Sequence, residues 1–124
     1  MPSSDPARRF QEILDHIAAL KSFTVDTTLE DLAQDPMRAF AVIRALEVIS
    51  EASRRLPNSM KDANPQIEWK EIAAAGNLYR HEYDNVDYEL IWQTIQVDLD
   101  PLAKVAESEL QRMKKSGQPK TRPD

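Results

Sequence analysis

Glu68-Trp69-Lys70-Glu71-Ile72-Ala73-Ala74-Ala75-Gly76-Asn77-Leu78-Tyr79-Arg80-His81-Glu82-Tyr83-Asp84-Asn85-Val86-Asp87 is the most informative stretch of this sequence. Trp69, Ile72, Ala73 and Gly76 recur at helical steps, which predicts a helix from about Pro65 or Glu68 to near His81. Asp84 and Asn85 are turn formers, so Tyr83 to Val86 reads as a break. Asp87 then caps a further helix with Leu90, Ile91, Ile95 and Leu99 on one stripe. A glycine inside a helix costs about 1 kcal/mol relative to alanine. Following Ala73-Ala74-Ala75, Gly76 makes a small-residue surface, which predicts a packing or dimer contact where another helix approaches closely.

The helical periodicity extends outward in both directions. Asp5-Pro6 is a helix start, an Asp cap with Pro at the first helical position, followed by Phe10, Ile13, Leu14, Ile17 and Leu20. Ser22 to Thr27 reads as a loop. Thr28 caps a short helix with Leu29 and Leu32. Asp35-Pro36 repeats the start signal, and the helix after it carries Met37, Phe40, Ile43, Leu46 and Ile49 or Ser50, to about Leu56. Pro57 to Pro65 is a connector rich in breakers. Asp100-Pro101 marks a restart or a kink, after which Leu102, Val105, Ala106, Leu110 and Met113 continue the stripe.

Composition narrows the function classes. At 124 residues the chain is expected to hold one domain. Sixteen basic and 21 acidic residues give a net charge of -5, which argues against a general nucleic-acid coat. The absence of cysteine excludes disulfide scaffolds, thiol nucleophiles and Cys-based zinc sites. Two histidines are too few for a His-rich metal cage, and two glycines are too few for a phosphate-binding glycine loop. No apolar run approaches the ~20 residues of a membrane span. No basic-then-apolar leader opens the chain, so a cytoplasmic setting without membrane contact is expected. Residues 111–124 hold five basic residues against Asp124 and read as a basic, flexible tail; residues 1–110 form the helical domain.

The central stretch resembles the HEPN-domain HepT-like family. That family carries W-x-x-I, then R-N-x-x-x-H-x-Y, then V-D opening the next helix. Trp69, Ile72, Asn77, His81, Tyr83, Val86 and Asp87 fall in register with it. Upstream, Arg44-Ala45-Leu46-Glu47-Val48-Ile49-Ser50-Glu51-Ala52 and Arg54-Arg55-Leu56-Pro57 look like its R-x-L-E-x-I-x-E-A and R-x-L-P blocks. Downstream, Ile91-Trp92-Gln93-Thr94 and Asp98-Leu99-Asp100-Pro101-Leu102 resemble its W-x-T and D-L-x-P-L ending. The resemblance covers roughly Asp5 to Leu110. It implies an all-α, HEPN-type bundle of four to five helices, paired as a homodimer with two motifs meeting in a cleft. It further implies a metal-independent endoribonuclease toxin, needing no cofactor. The usual partner is a minimal nucleotidyltransferase antitoxin, which can adenylylate the motif tyrosine, here Tyr83.

Cleaving RNA without a metal needs a group that takes the 2′-hydroxyl proton and a cation that holds the phosphorane charge. His81 suits the first role. Asn77, four residues earlier on the same helical face, would orient the imidazole or bind a phosphate oxygen. The family's arginine lies five residues before its histidine, where this chain has Gly76. Two readings follow. In one, Arg80 substitutes, although helical neighbours stand about 100° apart; Arg44 is the other candidate cation. In the other, the site is degenerate and the domain binds a nucleotidyltransferase or a nucleotide through the same cleft. Glu82, Asp84, Asp87 and Glu89 read as an acidic loop and helix start rather than a metal site. Trp69 and Trp92 read as core anchors.

Overall fold

The computed structural model describes residues 5–81 and 87–116, with side chains described outside residues 77–81. Helices α1 (Pro6–Thr24), α2 (Leu29–Ala33), α3 (Pro36–Arg54), α4 (Asn58–Asp62), α5 (Trp69–His81), α6 (Tyr88–Gln93) and α7 (Leu99–Lys115) follow in order. A π-helical turn, Thr94–Asp98, joins α6 to α7, and no strand occurs among the described residues. The long elements form an all-α bundle: α3 lies against α1 on one side and α5 on the other, α7 covers α1, and α2 bridges α3 and α6.

The caps read from sequence are in place. The Asp5 and Asp35 carboxylates accept from the backbone N–H groups of Arg8 and Arg38, each with Pro at the first helical position. Thr28 and Asp31 form a reciprocal capping box at α2. Asp87 accepts from the Leu90 N–H at 3.0 Å. These side chains satisfy donors that the first turn of a helix leaves unpaired.

Two expectations are revised. Helix α1 continues through the expected loop to Thr24, because Ser22 and Thr24 hydroxyls fold back onto the Ala19 and Leu20 carbonyls instead of competing with the helix. The chain then turns at Asp26, whose φ is 56°, in the left-handed region. The last helix does restart near Pro101: α7 begins at Leu99, with Pro101 in its first turn. The π-helical turn just before it adjusts the hydrogen-bond ladder where proline lacks an N–H and crowds the carbonyl four residues back. Helix α7 itself runs past position 110 to Lys115, with Arg112 bonded to Glu109.

The second revision concerns α3. Leu46 and Ile49 are buried as expected, but Met37 is 83% and Phe40 70% exposed. Steps of three residues fall about 60° short of a turn, so the row Met37, Phe40, Ile43, Leu46 and Ile49 winds around the helix. The face that enters the core is instead Ala39, Val42, Ala45, Leu46, Ile49, Ser50, Ala52 and Ser53. Its many small residues suit a helix clasped between two others.

The connector before α5 is stapled by Asn64. Its Nδ2 donates to the Met60 carbonyl and to Glu109 Oε2, both at 2.9 Å, while its own carbonyl accepts the Trp69 Nε1–H at 3.0 Å. Trp69 is thereby half-buried against the core, as an anchor. Burial pushes the Glu109 carboxyl up, but the Asn64 and Arg112 hydrogen bonds outweigh it and leave the group below its ordinary range.

Asp98, at the junction of the π turn and α7, shows the opposite balance. Burial, then the charges of Glu71 and Glu68, push its carboxyl above the usual range. The folded state therefore holds this proton more tightly than the unfolded state, and stability contributed by protonation is lost as pH rises. Asp98→Asn is expected to raise the melting temperature at pH 7. The gain should vanish once pH falls below the ordinary carboxylate range, which thermal melts across pH will check.

Candidate functional site

The site is assembled on α5 and the helix it lies against. Asn77, Arg80 and His81 occupy the last two turns of α5, with His81 its final residue. Tyr83 lies outside the described residues, as do the side chains of Asn77, Arg80 and His81. What the structure shows in detail is how the shaft carrying them is held.

The hold is a close crossing of α3 and α5. Ser50 Oγ donates to the Ala73 carbonyl at 2.8 Å and accepts the Gly76 N–H at 3.2 Å. Arg54 Nη1 donates to the same Ala73 carbonyl at 3.2 Å. A Cβ built on Gly76 would stand 2.6 Å from Ser50 Oγ, 2.7 Å from Ser50 Cβ and 3.8 Å from Glu47 Cα. The first two distances are shorter than any real contact, and Ser50 Cβ is fixed to its backbone. Only glycine fits, so the expected close approach occurs at Gly76, and the approaching helix is the chain's own α3.

These contacts also set direction. Arg54 meets Ala73, Ser50 meets Ala73 and Gly76, and Glu47 faces Gly76, so α3 and α5 run antiparallel. Arg54 and then Arg55 hydrogen-bond Glu51 and hold its carboxyl below the usual range. Both arginines are thus engaged toward the start of α5, away from His81. Arg44, farther back on α3, is 75% exposed and lies 3.5 Å from Glu47 Oε1. The second histidine, His16, sits on α1 with Nδ1 2.8 Å from the Glu12 carbonyl, a local helix contact.

Ser50 and Arg54 were not singled out by sequence reasoning as a pair acting on α5. The available signal was Ser50 and Ser53 interrupting an apolar face, opposite a run of alanines ending in glycine. Other concavities are open. One of about 530 Å³ between α4 and the start of α5 is lined by Lys61, Asp62, Glu68, Trp69, Lys70 and Ala73, with balanced charge. Among the described residues no three His, Asp or Glu side chains come together as a metal site, and no helix is long and apolar enough to cross a membrane.

Comparison with known proteins gives a consistent result. Residues 13–109 match the family model described as ribonuclease HepT-like. A protein of Thermococcus cleftensis named "Probable ribonuclease HepT" is 38% identical over 92 residues, covering 74% of this chain and 84% of that protein. A protein of Methanocaldococcus jannaschii named "Putative RNase MJ1380" is 33% identical over 107 residues, covering 86% of this chain and 98% of that protein. Another, from Caldanaerobacter subterraneus and named "Putative RNase TTE0752", is 34% identical over 105 residues, covering 82% of this chain and 94% of that protein. No solved structure matched.

The crossing predicts a coupled pair of substitutions. Gly76→Ala is expected to cost about 1–3 kcal/mol, the usual range for overpacking. Gly76→Arg should be no better tolerated, because its Cβ meets the same obstacle. In a Ser50→Gly background the Gly76→Ala cost should shrink, since the colliding atoms are gone. Denaturant unfolding of the double-mutant cycle measures the coupling.

Proposed function

We propose, since this chain belongs to the HepT-like ribonuclease family, that it is the toxin half of a toxin–antitoxin pair and cleaves RNA without a metal ion. The family match across residues 13–109 carries this reading, because it spans the bundle and the α5 segment bearing His81. In the proposed reaction the RNA 2′-oxygen bonds to the adjacent phosphorus while His81 accepts its proton. The bond from phosphorus to the 5′-oxygen breaks, and the proton returns to that oxygen. The products are a 2′,3′-cyclic phosphate and a 5′-hydroxyl. Asn77 orients the imidazole or holds a phosphate oxygen, and Arg80 supplies positive charge beside it. A minimal nucleotidyltransferase is the antitoxin and modifies Tyr83. The setting is cytoplasmic.

The active form in this reading is a homodimer. The support is the exposed pair Met37 and Phe40 on α3, one turn apart and uncovered by any described element. Two large apolar side chains this exposed and adjacent on one helix face suit a self-contact.

A second reading is favoured by one observation. Position 76, where the family resemblance leads one to expect arginine, is glycine closed off by the α3 crossing. Loss of one charge-stabilising donor costs ~10²–10³ in rate. A domain so reduced would act by binding the nucleotidyltransferase or a nucleotide.

Cleavage of single-stranded RNA and tRNA by the purified protein in EDTA separates the two. The toxin reading expects cutting by the wild type and none by His81→Ala. A silent wild type that still binds the nucleotidyltransferase supports the second reading instead. Light scattering should give twice the chain mass, falling to one chain in Phe40→Asp.

A further inference from the structure

We propose that Arg44 holds the phosphate of this site from a second helix, alongside Arg80, an inference that rests on the ribonuclease reading and adds a substrate contact to it. A reaction through a phosphorane needs fixed positive charge near the group that moves the proton. Position 76 cannot provide it, because any side chain there collides with Ser50. The register of the crossing indicates where else a cation stands. From the facing pair Glu47 and Gly76, one turn along α5 leads to Tyr79 and Arg80, while one turn back along α3 leads to Ile43 and Arg44. The helices are antiparallel, so Arg44 sits across from the last turn of α5, level with position 79 and two residues short of His81 along the shared axis.

Its state fits a ligand-binding role. The Arg44 side chain is 75% exposed, and Glu47, whose side chain is 19% exposed, holds it at 3.5 Å. Among the described residues Glu47 is its only polar partner. A contact this long steadies the side chain and leaves most guanidinium donors to solvent. A planar guanidinium with free donors takes a phosphodiester bidentately. The other arginines of α3 are engaged differently: Arg38 with Asp35 and Thr27, Arg54 with Glu51 and the Ala73 carbonyl, Arg55 with Glu51. Arg54 lies one turn beyond Ser50, toward the start of α5, and its guanidinium reaches the Ala73 carbonyl, two turns before His81.

The test is RNA cleavage in EDTA by the full chain. It compares wild type, Arg44→Ala, Arg44→Lys, His81→Ala and a charge control, Arg8→Ala, with light scattering on each. Arg44→Ala is expected to lose ~10²–10³ of the rate. Arg44→Lys should retain an intermediate rate, because a point charge replaces a bidentate fork. Arg8→Ala should match the wild type. Millimolar guanidinium should restore part of the Arg44→Ala rate and none of the His81→Ala rate. If Arg44→Ala cuts like the wild type while His81→Ala is dead, the ribonuclease reading stands and the Arg44 assignment falls. Loss without guanidinium rescue, or with a changed oligomeric state, makes Arg44 a structural contact and also overturns it. If the wild type does not cut at all, the ribonuclease reading fails and takes this assignment with it.

Discussion

The contact of Ser50 with Gly76 is the constraint on which the rest of the site depends. It brings the backbones of α3 and α5 closer than any side chain at position 76 would allow. One hydroxyl serves both helices, donating to the Ala73 carbonyl and accepting the Gly76 N–H. A buried hydroxyl satisfied in both senses costs little, whereas an unpaired one costs about 1–3 kcal/mol. The contact therefore fixes both distance and register. Everything beyond it on α5, including the turn that ends at His81, inherits its position from this crossing.

That constraint bears on the arginine that the family resemblance leads one to expect at position 76. A missing arginine read from sequence looks like the simple loss of a charge. In the fold, position 76 points into the bundle against a neighbouring helix, so glycine there has a structural task of its own. In the proposed reaction, a further charge for the phosphate comes from α3. The antiparallel register limits the choice, since residues of α3 that lie before Glu47 approach the end of α5 and those after Ser50 approach its start. Arg54 and Arg55 belong to the second group and are tied to Glu51.

Local signals were legible because their physics is local. Asp5, Thr28, Asp35 and Asp87 each cap the helix that follows, since a side-chain acceptor meets a free N–H only three residues away. Trp69 was legible as an anchor for a similar reason: it opens an apolar stripe. The orientation of α3 was not legible. Its i+3 row of large apolar residues looked like a core face, yet the row winds around the helix and leaves Met37 and Phe40 outside. Small residues such as Ala39, Ala45 and Ala52 turned inward because two helices must reach α3 closely, a demand that spacing alone does not reveal. Ser22 and Thr24 misled in the other direction, since their hydroxyls bond to the helix carbonyls behind them.

The sequence by itself determined the all-helical class, most helix starts, and the family through motifs whose order and spacing run along most of the chain. It also identified Asn77, Arg80, His81 and Tyr83 as the chemical candidates, because that pattern lies within one continuous segment. Only the tertiary structure decided which face of α3 is buried, that Gly76 meets Ser50, and that Arg44 stands across from the end of α5 while Arg54 does not. The reason is physical. Caps and motifs are fixed by atoms a few residues apart, but the meeting of residues 50 and 76 depends on how two helices close on each other, and no short-range rule in the chain encodes that distance.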